Sequence, residues 1–428
     1  MLGAGLSAFA AAGCLIYSYG AFLPVMCNEL GWSRAIVASG LSLGLLGLGL
    51  PAPLIGICVA KFGPKILIIL GNAGMALSLA GICFVHEAWQ LFVLFSLAGL
   101  TGGFGGYVVV NSVASNWFVK RRSLAMGILA AFMGIGGFVF PPLTTLLISS
   151  IGWRISWLVL AGIALMFASL IPGLVMVRNR PEDMGQATDG TPVAKPTEGL
   201  KTPVHASEKE RELAGWTMKQ MLRQRTTWLI AALAAAAFFI SGTMNAHQIA
   251  YLRDLGANPM IAATTLSVVS ASIIVGDLVY GALALRFNAR YLLVGSFAIQ
   301  IIALTILIAA NNLSLIYLYA ILYGISSGLI STAKPTIIAA YYGRVHFARI
   351  MGMIFPVSYV FLAAGPAVGG AIFDAFGTYR PAFLILIVFS FIGLGCTFLA
   401  RQPRPPKSSQ YSMTRSINRE AATNIWKN

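Results

Sequence analysis

The sequence predicts an all-α integral membrane protein, with twelve transmembrane helices arranged as two six-helix pseudo-repeats. Three observations carry that expectation. The 428 residues are 58% hydrophobic and only 10% charged, with a mean hydropathy of +0.81, which is not the composition of a soluble globular chain. Apolar runs of about 20 residues, each long enough to cross a bilayer, recur from end to end. In lipid the backbone must satisfy its own hydrogen bonds, so runs of that length are helices. The second half of the chain also repeats the first at one fixed offset.

The spans are expected near 3–25, 35–59, 66–85, 89–116, 124–149, 154–177, 227–251, 260–285, 290–310, 314–341, 350–374 and 381–400. The first run starts at Leu2 with no basic region ahead of it and is too long for a signal-peptide core, so it reads as a retained helix. Charges punctuate the others. Arg34 separates spans one and two, Lys61 and Lys65 lie between two and three, and Lys120–Arg122 precede span five. Arg154 opens span six, Arg253 follows span seven, and Arg286 and Arg290 flank the turn into span nine. Arg344 and Arg349 lie between spans ten and eleven, and Arg380 opens span twelve. Residues 178–225 are polar and contain Pro181, Pro192, Pro196 and Pro203, the composition of a linker. A surface helix is expected there around Glu208–Gln224. The expected organisation is an N-terminal half (1–177), that linker, a C-terminal half (226–400) and a polar tail (401–428).

The net charge of +16 raises the question of nucleic-acid binding. The basic residues gather in alternate loops instead, as they do when a membrane protein orients itself. That count places both termini and the linker in the cytoplasm, in a plasma (inner) membrane protein whose surroundings are the lipid bilayer, with no nucleic-acid partner. Cys14, Cys27, Cys58, Cys83 and Cys396 are scattered through apolar segments without paired spacing, the pattern of core residues rather than of disulfides or a metal site. Glycine runs such as Gly102–Gly106 are not followed by the Lys-Ser/Thr of a phosphate loop. No catalytic constellation or cofactor motif stands out, so an enzyme is not expected.

An offset of 225 residues lays Gly56–Lys65 (GICVAKFGPK) on Gly281–Arg290 (GALALRFNAR) and Ala114–Gly127 on Ala339–Gly352 without a gap. Pro141 then falls on Pro366. Six plus six helices in tandem is the layout in which two halves rock about a central site.

Two charges interrupt the C-terminal spans. Asp277 lies nine residues before Arg286 and Lys334 ten before Arg344, so each sits roughly 14–15 Å from its helix end, close to the middle of the bilayer. An ionisable group there costs at least about 2.5 kcal/mol and needs a partner or a watery cavity. The pair reads either as a structural ion pair between helices eight and ten or as a substrate site, with Lys334 holding a carboxylate and Asp277 exchanging a proton.

Several motifs resemble the major facilitator superfamily, and within it the monocarboxylate porter and oxalate–formate antiporter branch. They are YSYGAFLP with ELGWSRA (Tyr17–Pro24, Glu29–Ala35), the Gly-rich segment and basic loop of Gly102–Ile128, RNRPEDMG (Arg178–Gly185) and HQIAYLRDLG (His247–Gly256). The resemblance implies a secondary transporter for a small organic acid, by proton symport or anion exchange. It also implies an arginine in helix eight, four residues before a glycine, and the matching residue here is Asp277. Ala60 and Leu285 stand where the family's loop motif has an acidic residue. Tyr107 resembles a substrate-contacting tyrosine of the family, with Asn111 one turn on.

Tyr17, Tyr19, Asn245 and Tyr280 are further candidates of the same kind, since a tyrosine packs its ring in an apolar wall and donates from its hydroxyl. A satisfied core residue is the plain alternative for each. His247, nearer the far end of helix seven, reads as a proton shuttle or as an interfacial residue. Gly324, Ser327, Gly328 and Ser331 form a small-residue stripe that permits close helix packing. A zwitterion such as an amino acid or betaine is the alternative substrate, facing Asp277 with its cationic end. A non-transporting receptor is the alternative function, against which the short linker and tail argue. A monomer is the expectation.

Overall fold

The computed structural model describes residues 1–118, 122–179, 218–284 and 286–403. Lys120, Arg121, Leu285, most of the expected linker and the tail from 404 lie outside the described residues. Of the surface helix expected at Glu208–Gln224, the described part is a short helix, Met218–Arg223.

Twelve spans are present among the described residues, and local chemistry sets their ends. α1 runs Leu2–Leu30 and stops at Gly31, whose φ of 67° suits glycine. It continues five residues past the expected end because Asn28 and Glu29 form an exposed last turn. α2 begins at Ser33, whose hydroxyl accepts from the Ile36 amide. It consists of Arg34–Gly49 and Ala52–Phe62, bent by 49° at Pro51, which stands between them. α3 is Pro64–Phe84. α4 is Ala88–Ala114, entered through a Glu87/Gln90 capping box and interrupted at Gly106.

The apolar stretch Ala125–Met176 has 52 residues, about 78 Å of helix and more than two bilayer cores. It turns at Gly152 (φ 77°, ψ 163°) into α5 (122–151) and α6 (153–176). α7 is Arg225–Asp254. α8 (Pro259–Leu283), α9 (Ala289–Ala309) and α10 (Leu313–Tyr342) each start behind an asparagine: Asn258, Asn288 and Asn312 accept from the amides of Met260, Arg290 and Leu315. α11 is Pro356–Phe376 and α12 Arg380–Leu399. The connection expected as a loop at 342–349 keeps helical backbone, Leu313–Phe376 being helical throughout. It contains no proline, and helix is the local way to satisfy its amides.

The 225-residue repeat is visible in the geometry. Gly152 and Gly377, equivalent by that offset, both take positive φ, at the turns into α6 and α12. Gly31 and Gly256 do the same at the ends of α1 and α7. Equivalent residues also make the contacts between halves. Ser267 on α8 donates to the Phe138 carbonyl on α5 at 2.6 Å, and its counterpart Ser42 on α2 accepts from the Ala367 amide on α11 at 3.1 Å. A Cβ on Gly49 would lie 2.2 Å from the Tyr359 ring. At the equivalent pair, a Cβ on Gly134 would lie 2.7 Å from Ile274. In each contact a glycine receives a large side chain, but from opposite partners. The halves therefore meet through two matching seams, α2–α11 and α5–α8. At the central α1–α7 contact, a Cβ on Gly20 would lie 2.9 Å from the Asn245 carbonyl.

Candidate functional site

α8 and α10 lie backbone to backbone. A Cβ on Gly276 would come within 2.3 Å of the Ile325 carbonyl, and one on Gly328 within 2.2 Å of the Ile273 carbonyl. Only glycine permits that approach, and it sets Asp277, next to Gly276, against the last turns of α10. Thr332 donates its hydroxyl to Asp277 Oδ1 at 2.5 Å. Lys334, two residues on, places its ammonium 4.4 Å from the centre of the Phe238 ring on α7, a cation–π contact. Both charged residues are half-buried and interact electrostatically. Among the described residues they form no ion pair within 4.0 Å. The acid and the base thus face one region without neutralising each other directly.

The N-terminal half reaches the same region. Tyr17 on α1 lies within electrostatic range of Asp277. Phe238 packs at 5.7 Å against the Tyr359 ring of α11, which interacts in turn with Tyr107 of α4. Tyr107 and Tyr359 line a cavity of about 50 Å³ together with Gly49 and Gly103. Asn111 donates to the Tyr107 carbonyl at 2.8 Å, one turn along the same helix. Tyr17 and Asn245 line a second cavity of about 50 Å³ with Ser241, Gln248, Ser270 and Ser327. Side chains of α1, α7, α8 and α10 thus lie around Asp277 and Lys334, and α11 and α4 connect to them through the Phe238–Tyr359–Tyr107 series.

Three of the sequence candidates are placed elsewhere. Tyr19 is fully buried in the N-terminal half, where its hydroxyl donates to the Val37 carbonyl and its ring meets Phe95 edge-on. Tyr280 is 2% exposed, packed in a core cluster with Ile337 and Tyr341. His247 is fully buried. Its Nε2 lies 2.7 Å from the Pro366 carbonyl, which only accepts, so Nε2 carries the proton and Nδ1 accepts from Tyr379 at 2.9 Å. Both ring nitrogens are engaged, one by Pro366 on α11 and one by Tyr379 just ahead of α12.

At the face opposite the termini, Arg34 bridges the halves. Its guanidinium makes a bidentate pair with Asp254 at the end of α7, at 2.6 and 2.8 Å, and stacks 3.7 Å over Phe373. The Asp374 carboxylate on α11 accepts from the Arg34 and Ala35 amides at 3.0 and 2.8 Å, capping α2 from the other half. Among the described residues, Arg34–Asp254 is the ion pair that joins the halves, a latch between them at that face.

Sequence reasoning did not single out Thr332, Phe238, Tyr359, Gln248 or Ser270, nor Arg34 with its partners. One signal for the latch was available. The 225-residue offset lays Glu29–Gly31 (ELG) on Asp254–Gly256 (DLG), an acidic residue ending both α1 and α7. Glu29 lies 3.6 Å from Arg154 within its own half, whereas Asp254 turns to the other half.

A family model described as Major Facilitator Superfamily matches residues 5–273 and 243–427. The chain is 24% identical over 383 residues to monocarboxylate transporter 13 of Rattus norvegicus, covering 89% of this chain and 83% of that protein. It is 25% identical over 408 residues to the oxalate:formate antiporter of Oxalobacter formigenes, covering 91% and 89%. A solved bacterial homologue of the human lysosomal transporter Spinster, in an inward-facing and occupied conformation, shares the fold. Its TM-score is 0.70 at 17% identity, with 95% of this chain and 97% of that one covered.

Proposed function

The chain belongs to the major facilitator superfamily, and from that premise we propose that it carries a small monocarboxylate, coupled to a proton, between the two faces by alternating access. Lys334 holds the carboxylate and Asp277 takes the proton. Tyr17, Asn245, Tyr107 and Asn111 furnish the surrounding hydrogen-bonding wall. The observation that carries this reading is the Lys334 ammonium over Phe238, within electrostatic reach of Asp277 but not paired to it. A buried cation held in that way keeps its capacity for an incoming anion. Carboxylate arrival at Lys334 screens the ammonium from Asp277, which raises the proton affinity of the acid and couples the two loads. Relatives named for monocarboxylate transport and oxalate:formate exchange support the choice of anion.

The halves 1–177 and 226–400 rock about the α2–α11 and α5–α8 seams, joined by the linker 178–225. Both termini and the 401–428 tail face the cytoplasm of a plasma-membrane protein that works as a monomer. With the Arg34–Asp254 latch closed, the site is served from the cytoplasmic face.

A zwitterion is the second reading, because the gap between Asp277 and Lys334 suits a molecule with a charge at each end. Uptake of labelled lactate, alanine and succinate into proteoliposomes, with and without a pH gradient, separates the two. Gradient-driven lactate accumulation is the expected result. Uptake confined to alanine replaces the monocarboxylate with the zwitterion, and uptake of none of the three overturns both.

A further inference from the structure

α1 departs from regular α-helix between Gly13 and Tyr17, where its backbone winds as a π turn. The Ser18 amide bonds the Gly13 carbonyl, five residues back, at 3.0 Å. Such a turn holds one residue more than an α turn, which offsets the flanking segments by about 100°. The 225-residue repeat shows that the fold does not demand it. The equivalent stretch of α7, Phe238–Gly242, lies within the α-helix Arg225–Asp254.

Two hydroxyls hold the turn. Ser18 Oγ donates to the same Gly13 carbonyl at 2.8 Å, and Thr144 of α5 donates to Ser18 Oγ at 2.8 Å. Both residues are fully buried. The equivalent positions of the C-terminal half are built differently. Thr243 donates to the Phe239 carbonyl at 3.0 Å, four residues back, the usual bond of a threonine inside an α-helix. Gly369 stands at the position of Thr144 and has no hydroxyl to offer.

The turn decides which residue of α1 faces α5. A Cβ on Gly13 would enter the Phe140 ring, so Gly13 lies against α5. In a plain α-helix the residue stacked over Gly13, three or four positions on, would be Ile16 or Tyr17. Ser18 takes that place instead, against Thr144, one turn along α5 from Phe140. Tyr17 is thereby turned aside toward α8. Its ring passes over Gly137, where a Cβ would lie 3.0 Å from Tyr17 Cε1 and nearer still to Ser270 Oγ of α8. There Tyr17, a side chain of the N-terminal half, is within electrostatic range of the Asp277 carboxylate in the other half.

We propose that Ser18 and Thr144 are positioning residues, which hold the π turn of α1 so that Tyr17 faces Asp277 and ties proton coupling to the N-terminal half. Both act through Tyr17. The proposal rests on the proton-coupled reading above, with Asp277 as the acid.

The test separates coupling from transport in proteoliposomes. Thr144→Val removes the donor at nearly constant volume. It is expected to lower accumulation of labelled lactate under a pH gradient at least about 5-fold, the scale of one lost buried hydrogen bond. Exchange of labelled for unlabelled lactate, which does not use the proton, is expected to stay within about 2-fold of wild type. Ser18→Ala breaks the same bond from the other helix and is expected to match. Thr144→Ser keeps the donor and is expected to restore accumulation. Tyr17→Phe is expected to lower accumulation at least as far as Thr144→Val. Adding Thr144→Val to it is expected to change accumulation less than about 2-fold, since residues acting through one group are not additive. Parallel loss of accumulation and exchange in Thr144→Val and Ser18→Ala, misfolding included, identifies a purely structural bond and overturns the proposal. Wild-type accumulation in both variants overturns it too, as does a full further loss of about 5-fold on the Tyr17→Phe background. In each of those cases the wild-type protein is still driven by the gradient, and the proton-coupled reading stands. Wild-type protein that accumulates no lactate under the gradient overturns that reading and the positioning role together.

Discussion

Lys334→Met is expected to lower organic-acid uptake at least about 30-fold while leaving a folded, correctly inserted protein. Truncating one partner of a desolvated charge contact costs roughly 2–5 kcal/mol, and the low end of that range already corresponds to a 30-fold loss. Folding responds differently. Methionine has nearly the length of the lysine stem, keeps the packing against Phe238, and removes a charge that is costly to hold in the bilayer. Lys334 makes no direct ion pair with Asp277 among the described residues, so its removal avoids the penalty of stripping one partner from a buried pair. Asp277 keeps its hydrogen bond from Thr332. Thermal unfolding in detergent and uptake in proteoliposomes, measured on the same preparation, check this: an unchanged midpoint with lost uptake is the expected combination. A large drop in the midpoint instead identifies a structural pair between α8 and α10.

Gly328→Val is expected to fail in the opposite way, through structure. A Cβ there would sit 2.2 Å from the Ile273 carbonyl and 2.8 Å from the Asp277 amide. Both are backbone atoms, so no rotamer change relieves the contact and the two helices must part. Overpacking of this sort costs about 1–3 kcal/mol even where side chains can yield. Parting α8 from α10 also draws Asp277 away from Thr332, so stability and transport fall together. Gly281, on the facing helix α8, is the control. Nothing lies within 4 Å of the Cβ it would gain, so Gly281→Ala should be neutral or stabilise by up to about 1 kcal/mol through helix propensity. Thermal midpoints of the two variants check both statements.

The fold was legible because its signals are coarse and repeated. Apolar length marked the spans, and one offset linked Gly56–Lys65 to Gly281–Arg290. In the structure the same offset relates Ser42 to Ser267 and Gly152 to Gly377. The depths of Asp277 and Lys334 were legible too, because helical rise converts residue number into distance. Helix rotation was not. Tyr17 and Tyr19 are two residues apart, about 200° around the helix, so they face different neighbours. Sequence alone could not say that Tyr17 looks to Asp277 while Tyr19 enters the N-terminal core. Tyr280 and His247 show the same limit, each being turned into packing or hydrogen bonds that depend on neighbouring helices. Thr332 and Phe238 were missed because an unremarkable residue joins a site only through the register of another helix. Arg34 was counted as an orienting charge, and its role depends on Asp254 and Asp374, hundreds of residues away in sequence.

Coupling between the acid and the base at mid-membrane is the central claim, and Asp277→Asn tests it most directly. Asparagine keeps the shape of the side chain and an acceptor for Thr332 but cannot take up a proton. Two assays on one batch of proteoliposomes give the result: accumulation of labelled substrate driven by a pH gradient, and exchange of labelled for unlabelled substrate without one. The expected outcome is that accumulation disappears while exchange continues within a few-fold of wild type. Gradient-driven accumulation at the wild-type level in Asp277→Asn would contradict the account.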